Sequence, residues 1–163
     1  MIAVLVNPNY VATEQETNDV LAAGRTLGKQ VHIVTASTQS DIDAAFGTVV
    51  ERHVDALVVG TDPFLISRRR ELIAQAARHA LPTIYFSRDF VADGGLISYG
   101  SNLADGYHQV GVYTGRILNG AKPADLPVLQ PTKFELVINL ETAKTLEIVV
   151  PASLIARADE VIE

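Results

Sequence analysis

Polar side chains follow three of the short Val/Ile/Leu runs in this chain, and their types are those that bind small solutes. Asn7 comes directly after the first run, and Thr61 and Asp62 follow the third. Ser87 and Arg88 follow the fourth. Such groups hydrogen-bond to a solute or pair with its charges, and aromatic rings supply apolar walls. The full candidate set for ligand binding is Asn7, Asn9, Thr61, Asp62, Phe64, Ser87, Arg88 and Tyr99.

The elements that must position these side chains alternate between apolar runs and helical patterns. Strands are predicted at 2–6, 31–34, 56–59, 83–86, 96–99 and 134–139. Helices are predicted at 13–27, 41–53, 67–79, 102–120 and 152–162, with a short helical turn at 142–146. Ser40 or Asp41 is the expected N-cap of the second helix. The alternation predicts an α/β fold with a parallel sheet flanked by helices. In such a sheet the carboxyl ends of the strands meet at one edge, where ligands bind.

Asp62 has three possible roles. It can accept a hydrogen bond from a ligand amine, or it can cap the helix that follows. A catalytic acid or a phosphoacceptor is the third possibility. A phosphoacceptor site of the receiver type needs further acidic residues after the first strand, and residues 7–9 are Asn-Pro-Asn. The sequence therefore favours a ligand contact or a cap.

Arg88, Tyr99 and Phe64 each have a binding role and a structural alternative. Arg88 can hold a ligand carboxylate with two hydrogen bonds, or it can pair with Asp89 or Asp93. The two aromatic rings suit either a stacking platform or the core. Asn7 has its own alternative, a turn with the proline that follows it.

Composition excludes several classes of function. The chain has 163 residues, a formal net charge of −6 and no cysteine, so thiol chemistry is absent and nucleic-acid binding is not expected. Its four histidines are dispersed without metal-ligand spacing. No glycine loop matches a phosphate-binding or dinucleotide-binding motif. The sequence therefore predicts no catalytic residue, no metal site and no cofactor.

Several segments resemble the substrate-binding proteins of ABC transporters, in the subgroup with tryptophan- and tyrosine-binding members. The resemblance covers nearly the whole chain, and its most specific parts are the tyrosine–glycine segment and the KPADLP segment. The matching segments are 4–9 (VLVNPN), 56–63 (ALVVGTDP), 94–100 (GGLISYG), 111–120 (GVYTGRILNG), 122–127 (KPADLP) and 134–139 (FELVIN).

The resemblance implies one lobe of a type I periplasmic-binding-protein fold, in which two α/β lobes close over a small solute. Residues 1–97 and 132–163 are expected to form the ligand-binding, C-terminal-type lobe. Residues 98–131 are expected to form a hinge segment and a helix that packs on a first lobe, which this chain is expected to lack. The implied partners are a small, possibly amino-acid-like solute and, in the full-length context, an ABC permease.

Two physical consequences follow from a single lobe. Half of the solute contacts would be absent, so we expect weak or undetectable solute binding. The apolar surface meant for the other lobe is expected to drive self-association, as a homodimer.

For full-length relatives the resemblance implies a periplasmic or other extracytoplasmic location. Residues 1–6 lack the basic region and cleavage site of a signal peptide. Their continuous apolar run predicts a buried strand instead. The alternatives are a flavodoxin-like signalling or enzymatic domain, and a cytoplasmic regulator that senses a small molecule.

Overall fold

A seven-stranded sheet is the framework of the protein, and the computed structural model describes all residues from 1 to 163. The strands are β1 (Ile2–Val6), β2 (Val31–Thr35), β3 (Ala56–Val59), β4 (Thr83–Tyr85), β5 (Ile97–Ser101), β6 (Phe134–Asn139) and β7 (Glu160–Ile162). The helices are α1 (Thr13–Thr26), α2 (Gln39–Glu51), α3 (Pro63–Ser67), α4 (Arg69–Arg78), α5 (Arg88–Ala92), α6 (Leu103–Leu118), α7 (Leu140–Thr145) and α8 (Ala152–Ile155). None of these helices is long and apolar enough to cross a bilayer.

The strand order is β2-β1-β3-β4-β5-β6-β7, and the first five strands in this order are parallel. This confirms the predicted α/β fold with a mostly parallel sheet. β6 departs from that pattern because it pairs antiparallel with β5, with Ser101 opposite Phe134 and Ile97 opposite Ile138. β7 then pairs parallel with β6.

The main core lies on one face of the sheet, under α2, α3, α4 and α5. Leu5, Leu57 and Tyr85 from the strands pack there with Phe46 and Phe90 from the helices, and all five are at most 2% exposed. Continuous apolar strands such as β1 are required because the sheet is buried on both sides.

α1 covers β1 and β2 on the opposite face, where Val4 and Val6 are buried. Gly24 permits this close approach, since a Cβ at that position would lie 2.5 Å from Val31 Cγ2. Gly28 follows the end of α1 with φ +62°, a left-handed conformation that favours glycine, so the predicted stop of this helix is confirmed.

Several predicted boundaries are wrong. The helix predicted at 152–162 ends at Ile155, and residues 160–162 form β7 instead. The helix predicted at 67–79 is two helices, α3 and α4, and α5 was not predicted. The N-cap of α2 is Thr38, which forms a reciprocal capping box with Asp41, rather than Ser40 or Asp41.

α6 stands apart from the core, since none of its residues is buried. Its N-cap, Asn102, fixes where the helix leaves the sheet. Asn102 Oδ1 accepts a hydrogen bond from the Asp105 amide at 2.9 Å, and its Nδ2 donates to Glu135 Oε2 at 2.7 Å. Lys133 pairs with Asp105. At the other end, the Tyr113 hydroxyl donates to the Pro127 carbonyl at 2.6 Å, so residues 122–133 run back along the helix.

Candidate functional site

The carboxyl ends of β1, β3, β4 and β5 form the edge where the sequence places its candidate residues, here called the strand-end edge. β1 and β3 are neighbours in the sheet, so the loops that follow them lie side by side. Asn7 Nδ2 donates to Asp62 Oδ2 at 3.1 Å, and both side chains are buried. Asn7 Oδ1 accepts from the Asn9 amide at 3.0 Å. The structure therefore joins Asn7, Asn9 and Asp62 in one hydrogen-bonded group.

Asp62 is 4% exposed, and each of its carboxylate oxygens has a partner. Oδ1 accepts from the Leu65 amide at 2.9 Å, which makes Asp62 the N-cap of α3. The other oxygen accepts from Asn7. The predicted capping role is confirmed, while a ligand contact remains a prediction.

Thr61 is exposed beside Asp62, and its backbone amide donates to Glu16 Oε1 at 2.9 Å. Gly60 gives the Glu16 carboxylate room, because a Cβ at that position would lie 3.0 Å from Oε2. Sequence reasoning missed Glu16. The available signal was its place in the first turn of α1, since a helix that follows a parallel strand begins at the carboxyl end of that strand.

Thr13 is a second residue at this edge that was not anticipated. Its hydroxyl donates to the Asn7 carbonyl at 2.5 Å, which ties the start of α1 to the end of β1. With the bond from Thr61 to Glu16, this contact fixes α1, the loop after β1 and the turn after β3 against one another.

Phe64 is half-buried on α3 and packs against the main core, as in the predicted alternative in which its ring belongs to the core. The Arg68 guanidinium lies over its ring, 5.8 Å from the ring centroid. The neighbouring Arg69 and Arg70 both reach Asp93, at 2.8 and 3.4 Å.

Arg88 has a partner that the sequence did not suggest. Its Nη2 donates to Glu160 Oε2 at 2.5 Å, and this hydrogen bond raises the pKa of the guanidinium. The predicted pairing of Arg88 with Asp89 or Asp93 is wrong. Its partner Glu160 was missed because residues 152–162 were predicted to form a helix, whereas residues 160–162 form a strand. Ser87 is buried and caps α5, with its hydroxyl 3.4 Å from the Asp89 amide.

Tyr99 is 57% exposed in the middle of β5, two residues before the strand ends, so it is not a core residue. Its ring stacks on Phe134, which is 52% exposed, with 5.8 Å between the centroids and 21° between the planes. Phe134 was not among the predicted site residues. It follows from the antiparallel β5–β6 register, which makes the two rings diagonal neighbours.

The strand-end edge is thus a row of partly satisfied groups, with Asn9, Thr61 and Tyr99 accessible. An apolar groove of about 560 Å³ lies elsewhere, between α6 and residues 123–133. Tyr113, Ile117 and Leu126 are among its lining residues. No group of three or more His, Asp or Glu side chains is arranged to hold a metal ion.

Known proteins are similar to this chain in sequence and in fold. The protein-family model described as "ABC transporter substrate binding protein" matches residues 1–162. A curated relative, the tyrosine-binding protein of Clostridioides difficile (strain R20291), is 24% identical over 146 residues, which are 90% of this chain and 42% of the relative.

Three solved structures share the fold. The ABC domain in complex with L-Trp from Streptococcus pneumonia has a TM-score of 0.88 and 25% identity over 99% of this chain and 56% of its own. A conserved domain protein from Vibrio cholerae has a TM-score of 0.84 and 26% identity, over 98% and 54%. A ligand-free, open substrate binding protein with adhesive properties from Clostridium difficile has a TM-score of 0.71 and 22% identity, over 99% and 54%.

These likenesses confirm the predicted fold class, a lobe of a periplasmic binding protein. The chain spans 42% of the length of its curated relative and 54 to 56% of the length of the solved chains. The family, the curated relative and the ligand-free structure from Clostridium difficile are described as binding proteins, which does not favour the enzymatic alternative.

Proposed function

Because this chain belongs to the ABC transporter substrate-binding protein family, we propose that it serves as the solute-binding component, or as one lobe of that component, of an ABC-type importer. The solute is small and amino-acid-like, and it binds at the strand-end edge. Capture is reversible and involves no covalent chemistry, and the loaded protein delivers its solute to a membrane permease. For full-length relatives this role implies an extracytoplasmic location.

The observation that carries the proposal is the meeting of polar groups at two neighbouring strand ends. The buried bond between Asn7 and Asp62 holds the loops after β1 and β3 in fixed positions. This arrangement leaves the Asn9 and Thr61 side chains exposed at the edge. Fixed polar groups of this kind bind a solute without first paying for their own ordering.

The relatives support the choice of solute class. One is named a tyrosine-binding protein, and one was solved with L-Trp. In this chain the exposed Tyr99–Phe134 pair offers an aromatic surface of the kind that stacks on a planar ring. We therefore propose an aromatic amino acid or a similar solute.

We further propose that residues 98–131 face a second lobe and that the remaining residues form the ligand-binding lobe. The unburied state of α6 supports this division, since Val110 and Leu118 are 62% and 82% exposed. In a preparation of this chain by itself, a second copy covers the same surface and gives a homodimer.

A nuclear magnetic resonance titration of the ¹⁵N-labelled chain with L-tyrosine and L-tryptophan tests the binding site. One lobe supplies half of the contacts, so we expect weak binding, and chemical shifts detect weak binding well. Amides at Asn9, Thr61 and Tyr99 should shift. Asn9→Ala should weaken the response, whereas Asn18→Ala, on the exposed side of α1, should leave it unchanged.

Two outcomes contradict the proposal. One is the absence of any shift with a full panel of amino acids at millimolar concentration. The other is a response confined to the groove between α6 and residues 123–133.

A further inference from the structure

We propose that Glu16 determines specificity at the strand-end edge by accepting a hydrogen bond from a cationic amine of the solute. This inference rests on the proposed function and names the chemistry that the site selects. The solute class is an amine joined by a short chain to an aromatic ring.

One oxygen of the Glu16 carboxylate is held by a hydrogen bond, and the other oxygen is available to a ligand. Oε1 accepts the Thr61 amide at 2.9 Å, which fixes the orientation of the group. Oε2 accepts no hydrogen bond within the chain and lies over Gly60. A carboxylate that is fixed by one oxygen presents the other to a ligand in a defined position.

No cation of the protein neutralises this charge. Glu16 takes part in none of the five ion pairs, which are those of Met1 with Asp55, Arg69 and Arg70 with Asp93, Arg88 with Glu160, and Lys133 with Asp105. Glu16 is also half-buried, so its unpaired charge is only partly solvated. An incoming ammonium group therefore gains a charge-assisted hydrogen bond there.

Asp62 and Arg88 were expected to bind the amine and the carboxylate of an amino acid, but both already have partners within the protein. Both oxygens of Asp62 have partners, and the Arg88 guanidinium is held by Glu160. This edge therefore has a free acceptor for an amine at Glu16, whereas its arginine is already paired with a carboxylate of the protein.

The aromatic part of the solute follows from the position of Tyr99. Ser98 pairs with Tyr85, whose side chain lies in the main core, so Tyr99 points to the opposite face of the sheet. That is the face covered by α1, from which Glu16 projects. β3 and β5 are separated by β4 alone, so the backbone beneath the Glu16 carboxylate and the backbone that carries Tyr99 lie about 10 Å apart, across two strand spacings. A phenylethylamine-sized solute matches such a span.

Two matched probes test the inference by the same amide-shift titration. Tyramine has a phenol ring, a two-carbon chain and an ammonium group, and 4-ethylphenol has the same ring and chain without the amine. Tyramine should bind at least tenfold more tightly than 4-ethylphenol. Glu16→Gln should remove that difference, since the amide keeps an oxygen for the Thr61 amide but loses the charge.

The control variant is Glu14→Gln, which removes one charge from the exposed side of the same helix turn and should leave the ratio unchanged. Unperturbed amides in β2 and β4, which do not contact Glu16, show that the fold of Glu16→Gln is intact. An equal affinity for the two probes in the unaltered chain, or an unchanged ratio in Glu16→Gln, overturns the role of Glu16. L-Tyrosine binding at the edge that Glu16→Gln does not alter overturns it as well, while the proposed function stands. Absence of binding by every probe, L-tyrosine included, overturns both.

Discussion

At the scale of single residues, Asp62 holds two loops together. Asp62→Ala removes the cap of α3 and leaves the buried Asn7 amide without its acceptor. We expect the free energy of unfolding to fall by roughly 2 kcal/mol, about half from each loss. Urea denaturation measures the change, with Asp19→Ala on the exposed side of α1 as the control.

A double variant separates the two contributions. If Asn7 and Asp62 act as a pair, Asn7→Ala combined with Asp62→Ala should cost less than the sum of the single changes. Strict additivity would mean that the 3.1 Å contact between them contributes nothing to stability.

Ser98 is a residue whose removal should help the fold. Its side chain is 1% exposed in the middle of the sheet, and its hydroxyl has no hydrogen-bond partner. Ser98→Ala removes the unpaired group, so the free energy of unfolding should rise by about 1 kcal/mol. A clear loss of stability in urea denaturation would show that the hydroxyl has a partner in solution.

The sequence identifies the residue types at the strand-end edge but not their partners. A capping role was one of the two roles predicted for Asp62, and it could be anticipated because the position of Asp62 before a helix is a local property. The pairing of Arg88 with Glu160 joins residues 72 positions apart, and it depends on a strand that local pattern does not reveal. Phe134 was missed for the same reason, since it reaches Tyr99 only through the antiparallel register.

At the scale of elements, the start of α2 makes stability depend on pH. Hydrogen bonds from the Ser37 amide, the Ser37 hydroxyl and Thr38 lower the pKa of Asp41 below its ordinary value. The stabilising contribution is complete above the ordinary carboxyl pKa of about 4, and it is lost as pH falls through the lower value of the folded state. The urea midpoints of the unaltered chain and Asp41→Asn should therefore differ most at pH 7 and converge in acid. A constant difference at all pH values would contradict this account.

β5 packs so closely on the loop after β4 that it requires a glycine. A Cβ on Gly100 would lie 1.9 Å from the Phe86 carbonyl oxygen. Gly100→Ala should lower the free energy of unfolding by about 3 kcal/mol, because the Phe86 carbonyl belongs to the backbone and cannot move aside as a flexible side chain would. Gly106→Ala is the matched control, since the space around Gly106 in α6 is open and alanine favours helix by about 0.5–1 kcal/mol. Thermal unfolding of the two variants should shift in opposite directions.

Most elements could be predicted because their patterns are local, and the exceptions show where long-range contacts decide. Residues 152–162 have a composition that favours helix, yet the Asp159 side chain accepts the Leu136 amide at 2.8 Å and the Asp159 amide donates to the Leu136 carbonyl at 2.9 Å. These bonds hold the last residues beside β6, and pairing in the sheet outweighs helix propensity. α5 has five residues, too few for a helical period to be recognised.

At the scale of the whole molecule, the exposed apolar side of α6 predicts self-association. Sedimentation velocity should show a dimer at micromolar concentration, because a large exposed apolar patch is unfavourable in water. Val110→Lys and Leu118→Lys together should shift the protein toward monomer, whereas Val149→Lys, which is also exposed, should not. A monomer for the unaltered chain would refute the prediction.

The family and the fold of one lobe were accessible from sequence because the matching segments cover nearly the whole chain. The identity of the groups that remain free at the strand-end edge was not accessible. It depends on which carboxylates and cations already satisfy one another, as Arg88 and Glu160 do and Glu16 does not.

The antiparallel pairing of Ser101 with Phe134 has a practical consequence for engineering. The polypeptide departs from the sheet and comes back at adjacent positions, and the Asn102 amide still donates to the Lys133 carbonyl, so residues 103–132 form a removable insert. A two-residue Asn-Gly turn in their place, flanked by this hydrogen-bonded pair, would convert β5 and β6 into an ordinary hairpin. Excision at that junction would give a smaller protein that keeps the strand-end edge and lacks the exposed apolar helix α6.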